Sequence, residues 1–237
     1  AWNNDSTQTV DSVNTPSIVG YTPDKSSIEG QSFKFGDKDV EVTVTYHANT
    51  QKAKITYIDD TTKIDLDSQD ANGKFGQTIT FETAPTAEIE NYKKQGYKLV
   101  SNDFNDNKYQ ADDSKNVFYV HFVHDTKKVS RNDDVNMTVH YVMDDGSVAP
   151  SDNKQTVNFT ENGIQDLVTK KIDWTPAVSQ TFKDVATKSI VGYTPDKENV
   201  AGQTVNFGDP DINVTVTYHA NAQTATITYI DDTTKTN

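Results

Sequence analysis

The chain has 237 residues, a formal net charge of −13 and no cysteine, and it is long enough for one or two domains with hydrophobic cores. The acidic balance argues against nucleic acid and anionic membrane as partners, because both need a basic surface, and no apolar run is long enough for membrane insertion. A catalytic thiol, a disulfide and a cysteine-ligated metal site are excluded.

A long internal repeat organises the chain. Ser17–Lys25 returns unchanged as Ser189–Lys197, and at this offset about 39 of the first 63 positions match their partners. A period of this length makes each unit domain-sized, as in a tandem array of neighbouring repeats. The predicted domains are the end of a preceding second module (1–49), a first module (50–126), a complete second module (127–221) and the first strand of the next first module (222–237).

The two end segments are expected to be incomplete. Trp2 matches Trp174, but 1–49 has no counterpart of 128–172. Half a sheet has unpaired edges and little core, so we expect this segment to borrow contacts, for example from a neighbouring chain. The strand predicted at Thr224–Asp232 should be equally unsupported.

The first module shows the element order ββαββ. A helix is predicted between Pro85, which suits a first helical turn, and Gly96, which suits the position after the last. The polar stretch 71–76 is expected to turn the chain. Alternating or apolar runs predict four strands: Lys54–Ile58, Gln77–Phe81, Tyr97–Val100 and Asn116–Val123. This order is what a β-grasp, ubiquitin-like fold requires, although other packings have the same order.

The second module shows strand patterns and no helix pattern. In Ile212–His219, Val214, Val216 and Tyr218 alternate with polar residues, which indicates a strand with one wet face. Further strands are predicted at Val135–Val142, Lys154–Phe159, Ile190–Pro195 and Gln203–Phe207. The predicted fold class is therefore mainly β (α+β), an elongated tandem of a β-grasp-like module and an antiparallel β-rich module.

Two motifs of the first module stand out, Ile55–Lys63 and Ile89–Ser101. The second module adds four more: Val139–Val142, Lys154–Thr160, Trp174–Pro176 and Gly192–Asp196. Together they resemble the mucus-binding (Mub-type) repeat of lactobacillus surface adhesins, and the last four resemble its MucBP domain. The resemblance implies an extracellular, cell-wall-anchored parent protein whose partners are mucin glycoproteins. Some repeats of this family are also associated with immunoglobulin binding.

The carboxylates do not predict catalysis. A glycosidase holds two carboxylates across a cleft, about 5 Å or 6.5–9.5 Å apart, whereas adjacent pairs such as Asp59-Asp60 at strand ends are typical of solvated turns. Calcium is the alternative cofactor, with Asp103 and Asp106, or Asp112, as oxygen donors. An Asp-x-Asp-x-Asp-Gly loop is missing from the sequence, so no metal or cofactor is predicted.

Candidate ligand-binding residues are few. Tyr21 and Tyr193 recur in the two copies and could stack on sugars, although core residues would recur equally. Lys93 and Lys94, with Lys98, could form a local basic patch, although a solvated face is the alternative. The five histidines are expected at the surface or half-buried. His121 and His124 point to opposite faces of their strand and cannot chelate one ion.

The predicted function is therefore that of a non-enzymatic adhesin repeat that binds mucin glycans by weak, multivalent contacts, because linked weak sites reinforce one another. Two alternatives remain open at this point. One is an immunoglobulin-binding module that pairs through an exposed strand edge, and the other is a passive stalk.

Overall fold

A computed structural model describes residues 6–230 and 232–235 and divides the chain into two compact units. Unit 1 comprises residues 1–127 and 166–171, and unit 2 comprises residues 128–165 and 172–237. Strands dominate the described residues and one α-helix is found among them, which confirms the mainly-β class. No helix in this part of the chain has the length and apolarity needed to cross a membrane. Trp2 and Asp231 lie outside the described residues.

The first part of unit 1 consists of three small antiparallel ribbons. Its apolar side chains are poorly covered, since Val10, Val13 and Val40 are 54–58% exposed. The expected lack of a core is therefore observed, and the borrowing of contacts stays a prediction. The ribbons pair β1 (Gln8–Val10) with β5 (Gln31–Phe33), β2 (Val13–Asn14) with β4 (Ser27–Ile28), and β3 (Tyr21–Pro23) with β6 (Tyr46–Ala48).

A four-stranded mixed sheet follows, with strand order β8-β7-β10-β9. The two central strands, β7 and β10, run parallel, and each edge strand is antiparallel to its neighbour. This topology, with a helix between the two hairpins, confirms the predicted β-grasp arrangement. Its elements are β7 (Thr50–Asp59), β8 (Ile64–Lys74), α1 (Pro85–Lys94), β9 (Tyr97–Asn102) and β10 (Val117–His124).

The core of this sheet follows from strand alternation. Ile55 and Tyr57 of β7 lie beside Phe118, Val120 and Phe122 of β10, and all five side chains are at most 5% exposed. The helix covers this face with the inward residues expected of it, as Ile89 is buried and Tyr92 packs against the same cluster.

One predicted strand of the first module is wrong. The segment Gln77–Phe81 makes a single bridge, Thr78 with Lys108, and is not part of the sheet. The antiparallel partner of β7 is instead β8, which continues through most of the stretch expected to turn, as far as Lys74. Because β8 occupies one edge of β7 and β10 the other, no edge of β7 is left for residues 77–81.

Unit 2 holds a five-stranded sheet with order β13-β12-β11-β19-β16. It is mixed, because β11 and β19 pair in parallel from Met137–Ile212 to Met143–Tyr218. The edge strands β13 and β16 are antiparallel to their neighbours, as predicted for most of the module. The two parallel strands are the first and last of the module, and they meet at its centre. The strands are β11 (Thr126–Met143), β12 (Asn153–Asp166), β13 (Ile172–Thr175), β14 (Gln180–Thr181), β15 (Val185–Ala186), β16 (Tyr193–Pro195), β17 (Asn199–Val200), β18 (Thr204–Val205) and β19 (Ile212–Ala220).

The two modules share one sheet plan. The order β12-β11-β19-β16 repeats the order β8-β7-β10-β9, with a parallel pair at the centre in each case. In unit 2 the connections form short ribbons, β14–β18 and β15–β17, where the first module has its helix. No helix occurs in the described residues of unit 2, as predicted. Its core holds Val135, Met137 and Val139 of β11 with Val216 and Tyr218 of β19, all at 0% exposure.

The strand predicted at Thr224–Asp232 is not formed in the described residues 224–230 and 232. In β7, the matching residues from Lys52 to Asp59 pair with β8 on one side and with β10 on the other. The described residues after Ala220 contain no such partner strand, and Ile227 and Tyr229 are 74% and 82% exposed. This sequence motif therefore forms a strand only where the neighbouring strands of the sheet are present.

Candidate functional site

A shallow depression on unit 1 brings together an aromatic ring, two lysines and a carboxylate. It is lined by Lys93 at the end of α1, by Tyr97, Lys98 and Leu99 of β9, and by Asp125 just after β10. Tyr97 and Leu99 supply apolar surface, the lysines supply donors and Asp125 supplies an acceptor. Such a mixture of ring surface and hydrogen-bonding groups suits a ligand that is apolar on one face and hydroxylated at its edges.

The charges of this depression nearly balance. Lys93 is paired with Glu90 at 2.7 Å on the helix surface, and Asp125 Oδ1 accepts the Thr126 amide at 2.9 Å. Charges further away are screened over about 8 Å at physiological ionic strength. The depression is therefore polar and close to neutral.

Residues 166–171, which belong to unit 1, contact the backbone beside the depression. The Leu167 amide donates to the Asp125 carbonyl at 2.8 Å, and the Asp125 amide donates to Gly96 at 2.8 Å. Gly96 has φ of 102°, and a Cβ there would lie 2.3 Å from the Leu167 carbonyl oxygen. Residue 96 must therefore be glycine for both reasons, its backbone conformation and this close approach.

Beside the depression, a histidine with a buried side chain links two carboxylates. His124 Nε2 lies 3.0 Å from Asp59 Oδ2, and His124 Nδ1 lies 2.6 Å from Asp166 Oδ2. The exposed fraction is 7% for the His124 side chain and 1% for Asp59. The Tyr97 ring meets the imidazole edge-on, with 5.5 Å between centroids. The residue as a whole is half-buried, in agreement with the expectation for the histidines. Strand alternation, however, does not reveal a polar partner that arrives from residue 166.

The pKa values in this cluster follow from its contacts. The hydrogen bond to Asp166, helped by Asp59, raises the pKa of His124 against the opposing effect of burial. Burial alone would raise the pKa of Asp59, but hydrogen bonds from Thr62, Thr61 and His124 outweigh it and lower that pKa. The pKa of Asp166 is likewise lowered by His124 and nearby amides in spite of desolvation. The cluster favours a protonated imidazolium between two carboxylates.

The two tyrosine candidates have different surroundings. Tyr21 is 37% exposed and meets Phe75 edge-on, with 5.5 Å between ring centroids. The half-buried Tyr193 donates its hydroxyl to Asp145 Oδ2 at 2.7 Å and lies 3.1 Å from the Ser147 hydroxyl. Neither tyrosine lines the depression, and both are held by structural contacts.

The other predicted candidates are distributed along unit 1. Lys93 lines the depression together with Lys98, whereas Lys94 is exposed outside it. Asp103 Oδ1 accepts the Tyr119 amide at 2.7 Å, and Asp112 Oδ1 caps a short 3-10 helix by accepting the Ser114 amide at 3.0 Å. Asp106 occupies a turn with φ of 47°. Among the described residues, no three or more histidine or carboxylate side chains are grouped to hold a metal ion.

Comparison with known proteins assigns both modules. The family model of the Muc B2-like domain matches residues 1–50 and 126–222. The model of the mucin binding domain matches residues 51–124, so it falls on the first module and not on the later elements that resemble MucBP. No curated protein matched the chain.

Two solved structures resemble the chain over most of its length. The crystal structure of Mub-RV has 28% sequence identity and a TM-score of 0.65, covering 73% of this chain and 100% of its own. The type 2 repeat of the mucus binding protein MUB from Lactobacillus reuteri has 28% identity and a TM-score of 0.50, covering 72% and 100%. With more than half of its residues matched by one family model, the chain belongs to the Muc B2-like domain family and carries a mucin binding domain between its Muc B2-like segments.

Proposed function

We propose that the chain is a repeat of a bacterial cell-surface adhesin that binds host mucus, and that the depression around Tyr97 is the contact site for mucin glycans. The observation that carries the proposal is the placement of this depression, because four of its five lining residues lie within the segment matched by the mucin binding domain model. The parent protein is accordingly extracellular and anchored to the cell wall.

The chemistry of the depression favours neutral sugars. A pyranose offers an apolar C–H face for Tyr97 and Leu99, and its hydroxyls can accept from Lys93 and Lys98 and donate to Asp125. Burial raises the pKa of Tyr97, so its hydroxyl stays protonated and can donate to a sugar. Glu90 and Asp125 offset the charge of the two lysines, so the depression has no excess positive charge on a chain whose net charge is −13. Acidic sugars are therefore not attracted to it electrostatically.

Recognition here is binding and not catalysis. Adjacent carboxylates such as Asp112 and Asp113 are engaged with backbone amides, at 3.0 Å to Ser114 and 3.1 Å to Lys52. An open site with few polar contacts is weak by itself, and linked copies raise the overall affinity by about 10²–10⁴ when geometry permits. Firm attachment would therefore come from the number of repeats.

The site is tested with the double variant Lys93→Ala/Lys98→Ala on immobilised mucin. Two lost hydrogen bonds at about 1 kcal/mol each predict roughly tenfold weaker binding or more. The matched control is Lys52→Ala/Lys108→Ala, which removes the same charge elsewhere in the module and should bind as the parent chain does. Equal loss in both variants would point to overall charge and contradict the site.

The ligand class is tested by treating the mucin. Periodate should abolish binding, and sialidase should leave it unchanged or stronger. Binding that survives periodate would assign the contact to protein, as in the immunoglobulin-binding alternative. If neither the single chain nor a tandem dimer binds mucin or immunoglobulin, the chain acts as a stalk and the proposal is wrong.

A further inference from the structure

One edge strand of each large sheet is followed directly by an aspartate that continues the pairing with the neighbouring strand. The aspartates are Asp103, directly after β9, and Asp196, directly after β16. The register of each strand pair places Asp103 opposite Tyr119 of β10 and Asp196 opposite Thr217 of β19. Each aspartate therefore occupies the position at which its edge strand would continue.

Both aspartates make the two hydrogen bonds of a paired strand residue, but with the carboxylate in place of the carbonyl. The Asp196 amide donates to the Thr217 carbonyl at 2.9 Å, and Asp196 Oδ1 accepts the Thr217 amide at 2.8 Å. The Asp103 amide donates to the Tyr119 carbonyl at 3.3 Å, and Asp103 Oδ1 accepts the Tyr119 amide at 2.7 Å. In a regular antiparallel pair both bonds are made by the backbone. Because the carboxylate replaces the carbonyl, the pair is complete although the edge strand ends there.

In unit 2 the next residue, Lys197, extends this closure along β19. Lys197 Nζ donates to the Thr215 carbonyl at 2.8 Å and lies 2.7 Å from Asp196 Oδ2. The hydrogen bonds from Lys197 and from the Thr217 amide lower the pKa of Asp196, so its carboxylate is ionised at neutral pH. Side chains thus satisfy the Thr217 amide and the Thr215 carbonyl, which lie on the same edge of β19.

The same contacts are built a second time in the first copy of the Thr-Pro-Asp-Lys sequence. Asp24 Oδ1 accepts the Thr45 amide at 2.9 Å, and Lys25 Nζ donates to the Thr43 carbonyl at 2.7 Å. Asp103 reaches the corresponding geometry from a different local sequence, Asn-Asp-Phe. The contact is therefore associated with the position at the sheet edge and not with one sequence motif.

An uncovered strand edge presents amides and carbonyls with which another chain can pair. β16 pairs only with residues 218–220 of β19, so residues 212–217 have no strand partner on that side among the described strands. We propose that Asp196 and Lys197 form an edge clasp that prevents a second copy of the chain from pairing its own β19 with this edge. Asp103 has the same role on β10.

The sequence of β19 explains why the excluded partner is a second copy. Val-Thr-Val-Thr-Tyr occurs at 214–218 and again at 42–46, and alternating valine and threonine favour strand pairing. Two identical edges can pair antiparallel about a twofold axis, which satisfies both at once. A chain that carries this sequence twice therefore needs a means of keeping the edge closed.

The test is the full chain with Asp196→Ala/Lys197→Ala, which removes the edge clasp of unit 2. In sedimentation the dimer dissociation constant of this variant should be at least tenfold lower than that of the original chain. The matched control, Lys188→Ala/Glu198→Ala, removes the same two charges from exposed positions and should behave as the original chain does. Asp196→Asn alone keeps an oxygen acceptor and should also leave association unchanged. A folded double variant that associates no more tightly than the original chain, or no more tightly than the control, would overturn the proposal.

Amide hydrogen exchange locates the contact in the dimer. In dilute double variant the Thr217 amide should exchange at least tenfold faster than in the original chain, because its acceptor has been removed. At concentrations where the variant is dimeric, the amides of Thr215 and Thr217 should become protected by the second β19. A dimer in which these two amides do not respond to concentration would place the contact elsewhere and overturn the proposal.

Asp103→Ala provides an independent test in unit 1, which decides the question if the double variant does not fold. This variant should also associate at least tenfold more tightly than the original chain, and the Tyr119 amide should be the one whose exchange depends on concentration. Asp70→Ala, at an exposed position of β8, is the matched control and should have no effect. An Asp103→Ala variant that associates no more than this control would contradict the edge clasp.

Discussion

Residues 40–46 and 212–218 have similar sequences, but only the second segment is a strand along its whole length. Local sequence alone therefore does not determine strand formation here. The two segments share the alternation Val-Thr-Val-Thr-Tyr, yet only the later one lies in a sheet along its whole length, as part of β19. Val216 and Tyr218 are fully buried there, whereas Val44 and Tyr46 remain half-buried. The difference is the presence of β11, which pairs with β19 on one edge. The alternating sequence therefore permits a strand, but a partner strand is needed before the strand forms and its apolar side chains are buried.

The test with the largest expected effect compares two matched tyrosine-to-alanine substitutions. Tyr218→Ala should lower the free energy of unfolding by about 3–5 kcal/mol, as expected for a fully buried aromatic residue. Tyr46→Ala removes the same ring and the same hydroxyl contact from the open copy, and it should cost less than half as much. Urea denaturation of both variants measures the difference. Similar losses would mean that the first copy has a core of its own.

A second test concerns the contact within unit 1 between Asp166 and the buried side chain of His124. Because the folded-state pKa of His124 is raised, its contribution is complete below its unfolded pKa of about 6.5 and is lost as the pH rises through the folded value. The pKa values of Asp59 and Asp166 are lowered. Their contribution is present above about pH 4 and is lost as the pH falls further. Stability from this cluster should therefore be highest between about pH 4 and 6.5.

His124→Gln should lower stability at pH 5 by about 1.5–3 kcal/mol, the range for hydrogen bonds to charged groups. It should also remove the loss of stability that we expect for the original chain above pH 6.5. Thermal unfolding of both proteins across pH 4–9 checks this, with His140→Gln as the matched control at an exposed histidine. If stability of the His124→Gln variant still fell as the pH rose above about 6.5, groups outside this cluster would be responsible for that fall.

The same contrast explains what the sequence could and could not predict. The helix Pro85–Lys94, with Gly96 after its end, and the strands around Ile55, Tyr97 and Val139 follow from local signals. These signals are a helix-start proline, a glycine after the last turn and alternation. The edge strand β8 has the polar sequence Ile-Asp-Leu-Asp-Ser-Gln-Asp-Ala-Asn-Gly-Lys, and it is a strand because β7 pairs with it. Edge strands often carry such charges, which discourage further pairing.

The candidate site was only partly visible for the same reason. Lys93 and Lys98 could be suggested from their spacing around the helix end. The approach of residues 166–171 to His124 and Asp125, and with it the burial of the His124 side chain, depends on contacts between residues more than 40 positions apart. No periodicity in the sequence carries that information.

The prediction with the smallest expected effect compares Tyr21 and Tyr193, which occupy matching positions of the repeat. Tyr21 meets Phe75 edge-on, whereas Tyr193 is held by Asp145. A double-mutant cycle with Tyr21→Leu and Phe75→Leu should give a coupling energy of about 0.5–1.5 kcal/mol, as is usual for aromatic pairs. The matched cycle with Tyr193→Leu and Phe75→Leu should give none, because Tyr193 is held by Asp145 and Ser147 and residues that share no partner act independently. Urea denaturation of the six proteins measures both couplings. Coupling in the second cycle alone would contradict this prediction. It would mean that Tyr193, and not Tyr21, interacts with Phe75.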